Sequence, residues 1–183
     1  MTDSNFFYKR IVLPNLDKLS FVADFIDEHG WQLQPNLPFY YSDNATPEHT
    51  PEIFNKLKEV FELEYDLKDA LFFKFEPGIK TGIHIDTNDV RPYTMTIPIK
   101  NCDKLKVDWL KEKNPETTKL NPDIPTPFGI DPDDFNIVET IYMTDPIVMD
   151  ASKWHEGINL SDEDAYLITV RFYKSVNALD VFK

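Results

Sequence analysis

The fold prediction starts from residues 146–172, PIVMDASKWHEGINLSDEDAYLITVRF. They contain two short runs of β-branched and aromatic residues, PIVMD and AYLITVRF, separated by turn-forming residues, which is the pattern of β-strands. Five more runs of the same kind lie between position 70 and this segment: ALFFKFE, IHID, RPYTMTIPIK, LKVDWL and FNIVETIYM. Several short strands divided by turns predict an antiparallel sandwich.

The first third of the chain has a different pattern. Residues 6–13, FFYKRIVL, predict a strand, and residues 16–29 place apolar side chains at helical spacing, with Gly30 as a stop. A second helix is predicted to begin at Thr50-Pro51, where threonine can cap the helix and proline suits its first turn. Two helices before a series of strands predict an α+β protein, mainly β, in which the helices pack against one sheet.

The composition is that of an acidic globular protein. Of the 183 residues, 42% are hydrophobic, including 14 Phe and 8 Tyr, so the chain has enough apolar side chains for a packed core. The formal net charge of -13 disfavours contact with phosphate backbones. We therefore expect no nucleic-acid partner.

Nothing in the sequence indicates secretion or membrane insertion. Cys102 is the single cysteine, which excludes an internal disulfide, fits a reducing compartment, and is interpreted as a small, inert buried side chain. No apolar stretch is long enough to span a bilayer, and the N-terminus MTDSNFFYKR lacks the order of a secretory signal. We expect a soluble, cytoplasmic protein without a membrane partner.

Two of the four histidines stand in a pattern that suits a metal site. His84 lies in GIHID, two residues before Asp86, and side chains at i and i+2 of a strand point to the same face, so the imidazole and the carboxylate are expected to converge. His155 lies in SKWHEGIN, between two predicted strands. Two histidines and one carboxylate on one face of a metal leave the opposite positions open, which suits non-haem Fe(II), with zinc as the competing metal.

At these residues the sequence resembles a known family. The segment HID at 84–86, the run RPYTMTIPI from position 91, and residues 146–172 with their HEGINLS and VRF segments look like the 2-oxoglutarate/Fe(II)-dependent oxygenases. The likeness is greatest to the prolyl- and aspartyl/asparaginyl-hydroxylase-like branch, which includes small bacterial and phage proteins. It covers roughly residues 70–175.

The resemblance implies both a fold and a reaction. The implied fold is a double-stranded β-helix (a jelly-roll, cupin-like fold), and the implied catalytic residues and metal ligands are His84, Asp86 and His155. The implied cofactor and co-substrates are Fe(II), 2-oxoglutarate and O2. The enzyme would be a dioxygenase (hydroxylase) that couples oxidative decarboxylation of 2-oxoglutarate to hydroxylation of a second substrate. An amino-acid side chain or a small metabolite is the expected second substrate.

Under this resemblance the chain forms a single oxygenase-like domain over residues 1–183. The N-terminal strand and helices occupy residues 1–69, and the jelly-roll core occupies residues 70–175. Residues 111–134 contain five prolines and almost no apolar periodicity, so they are interpreted as a lid loop. A lid of this kind would partly cover the entrance through which a substrate reaches the metal.

The sequence departs from the family pattern at one position. Many relatives carry an arginine about ten residues after the distal histidine, where it binds the far carboxylate of 2-oxoglutarate, and here that position is Ala165. Arg171 lies six residues further on, on the same side of a strand but roughly 20 Å away. Arg171, Arg91 and Lys100 are the candidates for the missing contact, since a guanidinium suits a carboxylate best and some relatives use a strand lysine.

The alanine at position 165 also leaves two alternatives open. The chain could be a non-catalytic protein that binds a metal or a ligand on the same jelly-roll scaffold, because a fold does not guarantee an activity. It could also be a zinc or other metal-dependent cupin-like enzyme that does not use 2-oxoglutarate. Thr81, Thr94 and Thr96 are candidate pocket-lining residues, although β-branched residues are common in strands for packing reasons alone.

Overall fold

A computed structural model describes residues 7–13, 15–28, 40–45, 51–61, 67–86, 93–115 and 131–172. Two helices precede most of the strands. In chain order the elements are β1 (Tyr8–Arg10), a 3-10 turn (Leu16–Leu19), α1 (Phe21–Glu28), β2 (Tyr40–Ala45), α2 (Pro51–Phe61), β3 (Leu67–Phe75), β4 (Tyr93–Lys100), β5 (Leu105–Glu112), a second 3-10 turn (Pro132–Asp134), β6 (Phe135–Tyr142), β7 (Ile147–Asp150), β8 (His155–Asn159) and β9 (Ala165–Phe172).

The strands form two antiparallel sheets. The larger sheet has the order β1-β7-β4-β9-β3-β2, and the smaller has the order β6-β5-β8. Several neighbouring strands of the larger sheet are far apart in sequence, since β9 lies between β4 and β3. Apolar side chains of both sheets pack between them, among them Val107 of β5 and Leu167 of β9. This is the predicted double-stranded β-helix, so the predicted fold class is confirmed.

The larger sheet is buried on both faces. Along β9, Ile168 and Val170 pack with the helices, whereas Ala165 and Leu167 point between the two sheets. The helical side of the core is contributed by apolar residues of the first 3-10 turn, α1 and α2: Leu19, Val22, Ala23, Ile26, Ile53, Phe54, Leu57 and Val60. The prediction that the helices pack against one sheet is therefore confirmed.

Two N-terminal elements are shorter than predicted. The strand predicted over 6–13 is reduced to β1, because its partner β7 has only four residues and three of them pair with it. The helix predicted over 16–29 is divided into a 3-10 turn and α1. The Ser20 N–H donates to the Asp17 carbonyl (3.2 Å), three residues earlier, which is the 3-10 pattern and separates the two segments.

The run IHID does not form a strand of either sheet. Lys80 and His84 instead form isolated bridges to Ile158 and His155 of β8. Gly82, between them, has a φ of 75°, a left-handed conformation that interrupts an extended strand and that glycine adopts without steric cost. The predicted strand is therefore wrong here, although the segment lies alongside β8.

β8 is a strand that the sequence pattern does not predict. Its residues, HEGIN, include a glycine and polar side chains with weak strand preference. It forms because its backbone pairs with β5, from Asn159 opposite Leu105 to His155 opposite Trp109. His155 is therefore the first residue of a strand. The sequence pattern had instead placed it between two strands.

The predicted lid is described only at its two ends. β5 continues to Glu112, and the second 3-10 turn leads into β6. Residues 116–130 of the predicted lid over 111–134 lie outside the described residues, and so do Arg91, His29 and His49. The lid and the role of Arg91 therefore stay predictions.

The surroundings of the single cysteine agree with its predicted role. The Cys102 thiol is buried, with its Sγ atom 2.9 Å from the Tyr166 carbonyl oxygen, and burial raises the pKa of this thiol to about 11. It is therefore protonated and unreactive at neutral pH, as predicted. Among the described residues, no helix is long and apolar enough to cross a bilayer.

Candidate metal centre

His84, Asp86 and His155 meet at one end of the smaller sheet. The His84 N–H donates to the His155 carbonyl (3.0 Å), and the His155 N–H donates to the His84 carbonyl (2.9 Å). The Asp86 N–H donates to the carbonyl of Ala151 (2.8 Å), in the turn between β7 and β8. The three side chains therefore converge through backbone pairing with β8 and the preceding turn, and not through the strand alternation that the sequence suggested.

The three side chains each present one ligand atom to a common point. These atoms all lie within 4.8 Å of one another. The His84 Nε2 and Asp86 Oδ1 atoms are 3.8 Å apart, and the two imidazole rings have centroids 4.3 Å apart. Bonds of about 2.1 Å to one ion place its ligand atoms roughly 3–4 Å apart, so small side-chain movements bring all three onto a single metal. The donor set fits a divalent transition metal.

Both imidazole rings are oriented by backbone carbonyls. His84 Nδ1 lies 2.8 Å from the Gly82 carbonyl oxygen, and His155 Nδ1 lies 2.8 Å from the Lys153 carbonyl oxygen. Because a carbonyl oxygen only accepts, each Nδ1 carries the proton and donates it, which leaves each Nε2 lone pair for a metal. Metal-binding histidines are commonly held by this kind of second hydrogen bond.

Burial keeps His84 neutral. Its pKa is lowered from 6.5 to about 4, first by removal of the ring from water and then by the neighbouring His155. The Asp86 carboxylate raises the pKa of His84, but by less than burial and His155 lower it. Since the neutral imidazole is the form that binds a metal, His84 is ready to act as a ligand at pH 7.

The lowered pKa of His84 predicts that the stability of the metal-free protein depends on pH. Between pH 6.5 and about 4, the unfolded chain binds a proton on this histidine that the folded chain does not. The free energy of unfolding is therefore expected to fall as the pH falls through this window, by at most about 3 kcal/mol. Urea unfolding at several pH values with a chelator present, compared between wild type and His84→Asn, measures this. An identical pH dependence in both proteins would contradict the assignment.

Thr81 joins the His84 segment to β8. Its hydroxyl accepts a hydrogen bond from the Gly157 N–H (2.9 Å), and its own N–H donates to the Gly157 carbonyl (2.9 Å). A Cβ atom on Gly157 would lie 3.4 Å from the Thr81 Cγ2 atom, at van der Waals contact, so the two segments are closely packed here. Thr81, a candidate pocket residue from the sequence, thus has a structural contact beside the metal ligands.

The residues considered for binding a carboxylate lie at different ends of the larger sheet. β7 ends at Asp150, next to the turn whose Ala151 carbonyl accepts a hydrogen bond from the Asp86 N–H. We call this end of the sheet the metal end. Because neighbouring strands are antiparallel, Arg171, one residue before the end of β9, lies at the metal end, whereas Ala165 pairs with Phe75 at the opposite end. Ala165 is fully buried there in an apolar cluster, where no charged group could be accommodated without a partner.

Arg171 and Lys100 have different surroundings. Arg171 donates from Nε and Nη2 to the carboxylate of Asp69, with an Nη2–Oδ2 distance of 2.9 Å. Lys100 is exposed at the end opposite the metal, with its ammonium group 5.6 Å from the ring centre of Tyr166. Tyr166 belongs to the face covered by the helices, so Lys100 is separated from the metal ligands. Asp69 was missed by sequence reasoning, because nothing in the spacing of a strand aspartate indicates a partner on another strand.

Several solved structures share this fold. SnoK, a non-haem α-ketoglutarate-dependent carbocyclase from nogalamycin biosynthesis, matches with a TM-score of 0.55 and 15% identity over 91% of this chain and 79% of that chain. SnoN, a non-haem α-ketoglutarate-dependent epimerase from the same biosynthesis, matches with a TM-score of 0.53 and 12% identity over 92% of this chain and 77% of that chain. α-Ketoglutarate is another name for 2-oxoglutarate. The chain has the fold of the 2-oxoglutarate/Fe(II)-dependent oxygenases.

The similarity to known proteins lies in the oxygenase fold and not in the sequence. SnoN is also known in complex with Fe3+, α-ketoglutarate and nogalamycin RO, at 11% identity and a TM-score of 0.53. E. coli YcfD is 20% identical with a TM-score of 0.49, and the match covers 77% of this chain but only 34% of YcfD. No protein-family profile and no curated protein sequence matches the chain.

Proposed function

We propose that this chain is an Fe(II)- and 2-oxoglutarate-dependent dioxygenase that hydroxylates an amino-acid side chain or a small metabolite. One observation carries the proposal: His84, Asp86 and His155 converge within 4.8 Å on an oxygenase fold, with both imidazole Nε2 atoms available to a metal. Two histidines and one carboxylate are the ligand set that suits non-haem Fe(II). These three residues would hold the iron.

The residues of the chain hold the metal-binding atoms in place. The rings of His84 and His155 are oriented by backbone carbonyls, burial keeps His84 neutral, and Asp86 adds a carboxylate. The Asp86 side chain is 51% exposed, so the site is reached from that side. When bound, Fe(II) and 2-oxoglutarate supply the oxidative chemistry, in which one atom of O2 enters the substrate, the other enters succinate, and CO2 is released.

Arg171 is the described residue that we propose binds a carboxylate of 2-oxoglutarate. It lies at the metal end of the larger sheet, and its side chain is 27% exposed, so it is partly shielded from water and still within reach of a ligand. A guanidinium binds a carboxylate through paired, charge-assisted hydrogen bonds. Arg91, outside the described residues, is the alternative.

An anaerobic titration with Fe(II), with and without 2-oxoglutarate, tests the proposed function. A 2-oxo acid that chelates Fe(II) produces a visible charge-transfer band, which we expect with the wild-type protein and not with Asp86→Ala. Asp103→Ala is the matched control, because Asp103 is an exposed carboxylate in the turn between β4 and β5. Iron binding by the wild-type protein without the band would contradict the proposal.

A metal- or ligand-binding protein that does not turn over 2-oxoglutarate is the second candidate. Two observations favour it: Ala165 is buried among apolar side chains, and the guanidinium of Arg171 is already bonded to Asp69. Metal analysis of the purified protein, combined with a succinate assay, separates the two candidates. Tightly held zinc and no succinate would support the second candidate, whereas iron-dependent succinate formation would support the first.

A further inference from the structure

We propose that Glu139 binds a positively charged group of the substrate, an ammonium or a guanidinium. The inference rests on the proposed function, because it names the class of molecule that would be hydroxylated at the metal centre. A basic amino acid, or the amine derived from it, carries such a group. Three features carry the inference: the position of Glu139 on β6, the direction of its side chain, and its lack of a partner among the described residues.

The strand register places Glu139 at the level of the metal ligands. His155, a proposed ligand, lies opposite Trp109 of β5. Trp109 in turn lies opposite Glu139 of β6. Adjacent strands are about 4.8 Å apart, so the backbone of Glu139 lies roughly 10 Å from that of His155. A substrate that meets both Glu139 and a metal at His155 therefore has several bonds between its charged group and the carbon that reacts.

Glu139 faces the interior of the sandwich. On β6 the neighbouring Thr140 donates its hydroxyl to the carboxylate of Asp108 (2.6 Å), so Thr140 and Asp108 share one face of the smaller sheet. Trp109 follows Asp108 and Glu139 precedes Thr140, so Trp109 and Glu139 lie on the other face, because side chains alternate along a strand. Ile141, two residues beyond Glu139, is buried with Trp109 in the cluster between the sheets. Glu139 is thus directed toward the same interior.

The carboxylate of Glu139 lies among apolar and aromatic side chains. Trp109 and Ile141 are its neighbours on the inward face, and Tyr8 stacks on Trp109 with the two ring centres 5.2 Å apart. Glu139 is half-buried, and its side chain makes no hydrogen bond or ion pair with any residue that the structure describes. A half-shielded carboxylate forms a strong charge-assisted hydrogen bond with a cation that enters from water. Neighbouring aromatic rings add to the attraction of a cation.

A second observation at the same level indicates a bound molecule. Trp109 is fully buried, and its Nε1 atom has no hydrogen-bond partner within the described ranges of the chain. Nearly all buried polar atoms in native proteins are paired, so an unpaired N–H marks a place where a ligand oxygen or a water molecule binds. Because Trp109 stands between His155 and Glu139, a substrate that bridges the metal and the carboxylate passes this N–H.

An inward-facing charge on an edge strand can have another role, since it discourages pairing between copies of a protein. β6 is an edge strand, with β5 as its one neighbour among the described strands. That role needs a charge of either sign, whereas binding of a cation needs a negative charge. Glu139→Lys therefore separates the two roles, because it keeps a charge at the position and reverses its sign.

Two matched pairs of blocked amino acids test the assignment by calorimetry with the anaerobic Fe(II)–2-oxoglutarate protein. Nα-acetyl-L-lysinamide and Nα-acetyl-L-norleucinamide differ in side-chain charge, and so do Nα-acetyl-L-argininamide and Nα-acetyl-L-citrullinamide. In at least one pair we expect the wild-type protein to bind the charged member at least about 10-fold more tightly. Glu139→Gln and Glu139→Lys should both lose this preference. Titration with L-lysine, L-arginine, cadaverine and agmatine then shows whether a blocked residue, a free amino acid or an amine binds best.

Glu163→Gln is the matched control, because Glu163 is an exposed carboxylate in the turn before β9, at the end of the sheet opposite the metal. It should keep the wild-type preference. Equal binding of the charged and neutral compounds by the wild type, or a preference that survives in Glu139→Lys, would overturn the cation site. The same titrations of the metal-free protein keep this result separate from the proposed function. A preference without the visible 2-oxoglutarate band would contradict only the proposed function, and a band without a preference would contradict only the cation site.

Discussion

Replacing His155 by alanine is expected to weaken Fe(II) binding by more than about 100-fold. Changes to the partners of a metal ligand already reduce affinity by roughly 10- to 100-fold, and this substitution removes one of the three ligands themselves. The fold should persist, because β8 pairs with His84 and with β5 through backbone atoms that alanine retains. Anaerobic Fe(II) titration, together with thermal unfolding of the metal-free protein, measures both quantities.

Lys153→Ala is the matched control for this variant. Lys153 contributes its carbonyl oxygen, and not its side chain, to the hydrogen bond with His155 Nδ1. Alanine at this position keeps that bond, so the iron affinity should stay close to that of the wild type. If His155→Ala instead bound iron as tightly as the wild type, the three-residue metal site would have to be abandoned.

Replacing Asn159 by aspartate is expected to destabilise the protein by about 3–5 kcal/mol. Asn159 is fully buried, and its side-chain amide joins the end of β3 to the turn before β9. Its Nδ2 group donates to the carbonyls of Phe75 (2.9 Å), Glu76 (3.3 Å) and Glu163 (2.9 Å), while its Oδ1 atom accepts from the N–H (3.0 Å) and hydroxyl (2.8 Å) of Ser161. The carboxylate of aspartate cannot donate a hydrogen bond. It would therefore lie against three carbonyl oxygens in a buried site, without water to replace the lost hydrogen bonds.

Urea unfolding of Asn159→Asp and of Asn136→Asp measures this effect. Asn136 is exposed on the edge strand β6, so the same chemical change there should alter the free energy of unfolding by less than about 0.5 kcal/mol. A small effect at both positions would show that the network around Asn159 contributes little to stability.

The strands and helices were largely predictable because their signals are local. The run AYLITVRF is apolar on both sides, and β9 is covered by helices on one face and by the smaller sheet on the other. The apolar spacing of the helices likewise predicted positions such as Leu19 and Leu57, which are buried. The apolar pattern of a segment shows which of its side chains are buried. It does so whichever other segment packs against them.

The segments nearest the metal were predicted less well. β8 has a weak strand sequence and forms through pairing with β5, so a tertiary contact outweighs local preference there. IHID has a strand-like sequence, but it follows Gly82, whose left-handed conformation interrupts the extended chain just before it. Asn159 escaped notice because two of its five hydrogen bonds, those to the carbonyls of Phe75 and Glu76, form only once the turn before β9 and the end of β3 are brought together.

Local pattern was thus sufficient for the mainly β architecture, the helical cover and the selection of His84, Asp86 and His155, because periodicity and short motifs can be recognised without knowing the fold. The folded chain was needed to establish which side chains face one another. Arg171 meets Asp69 across 102 positions of sequence, and the buried hydroxyl of Thr94 has no partner among the residues that the structure describes. No local spacing encodes such neighbours, because strand order and register are set by the packing of the whole domain.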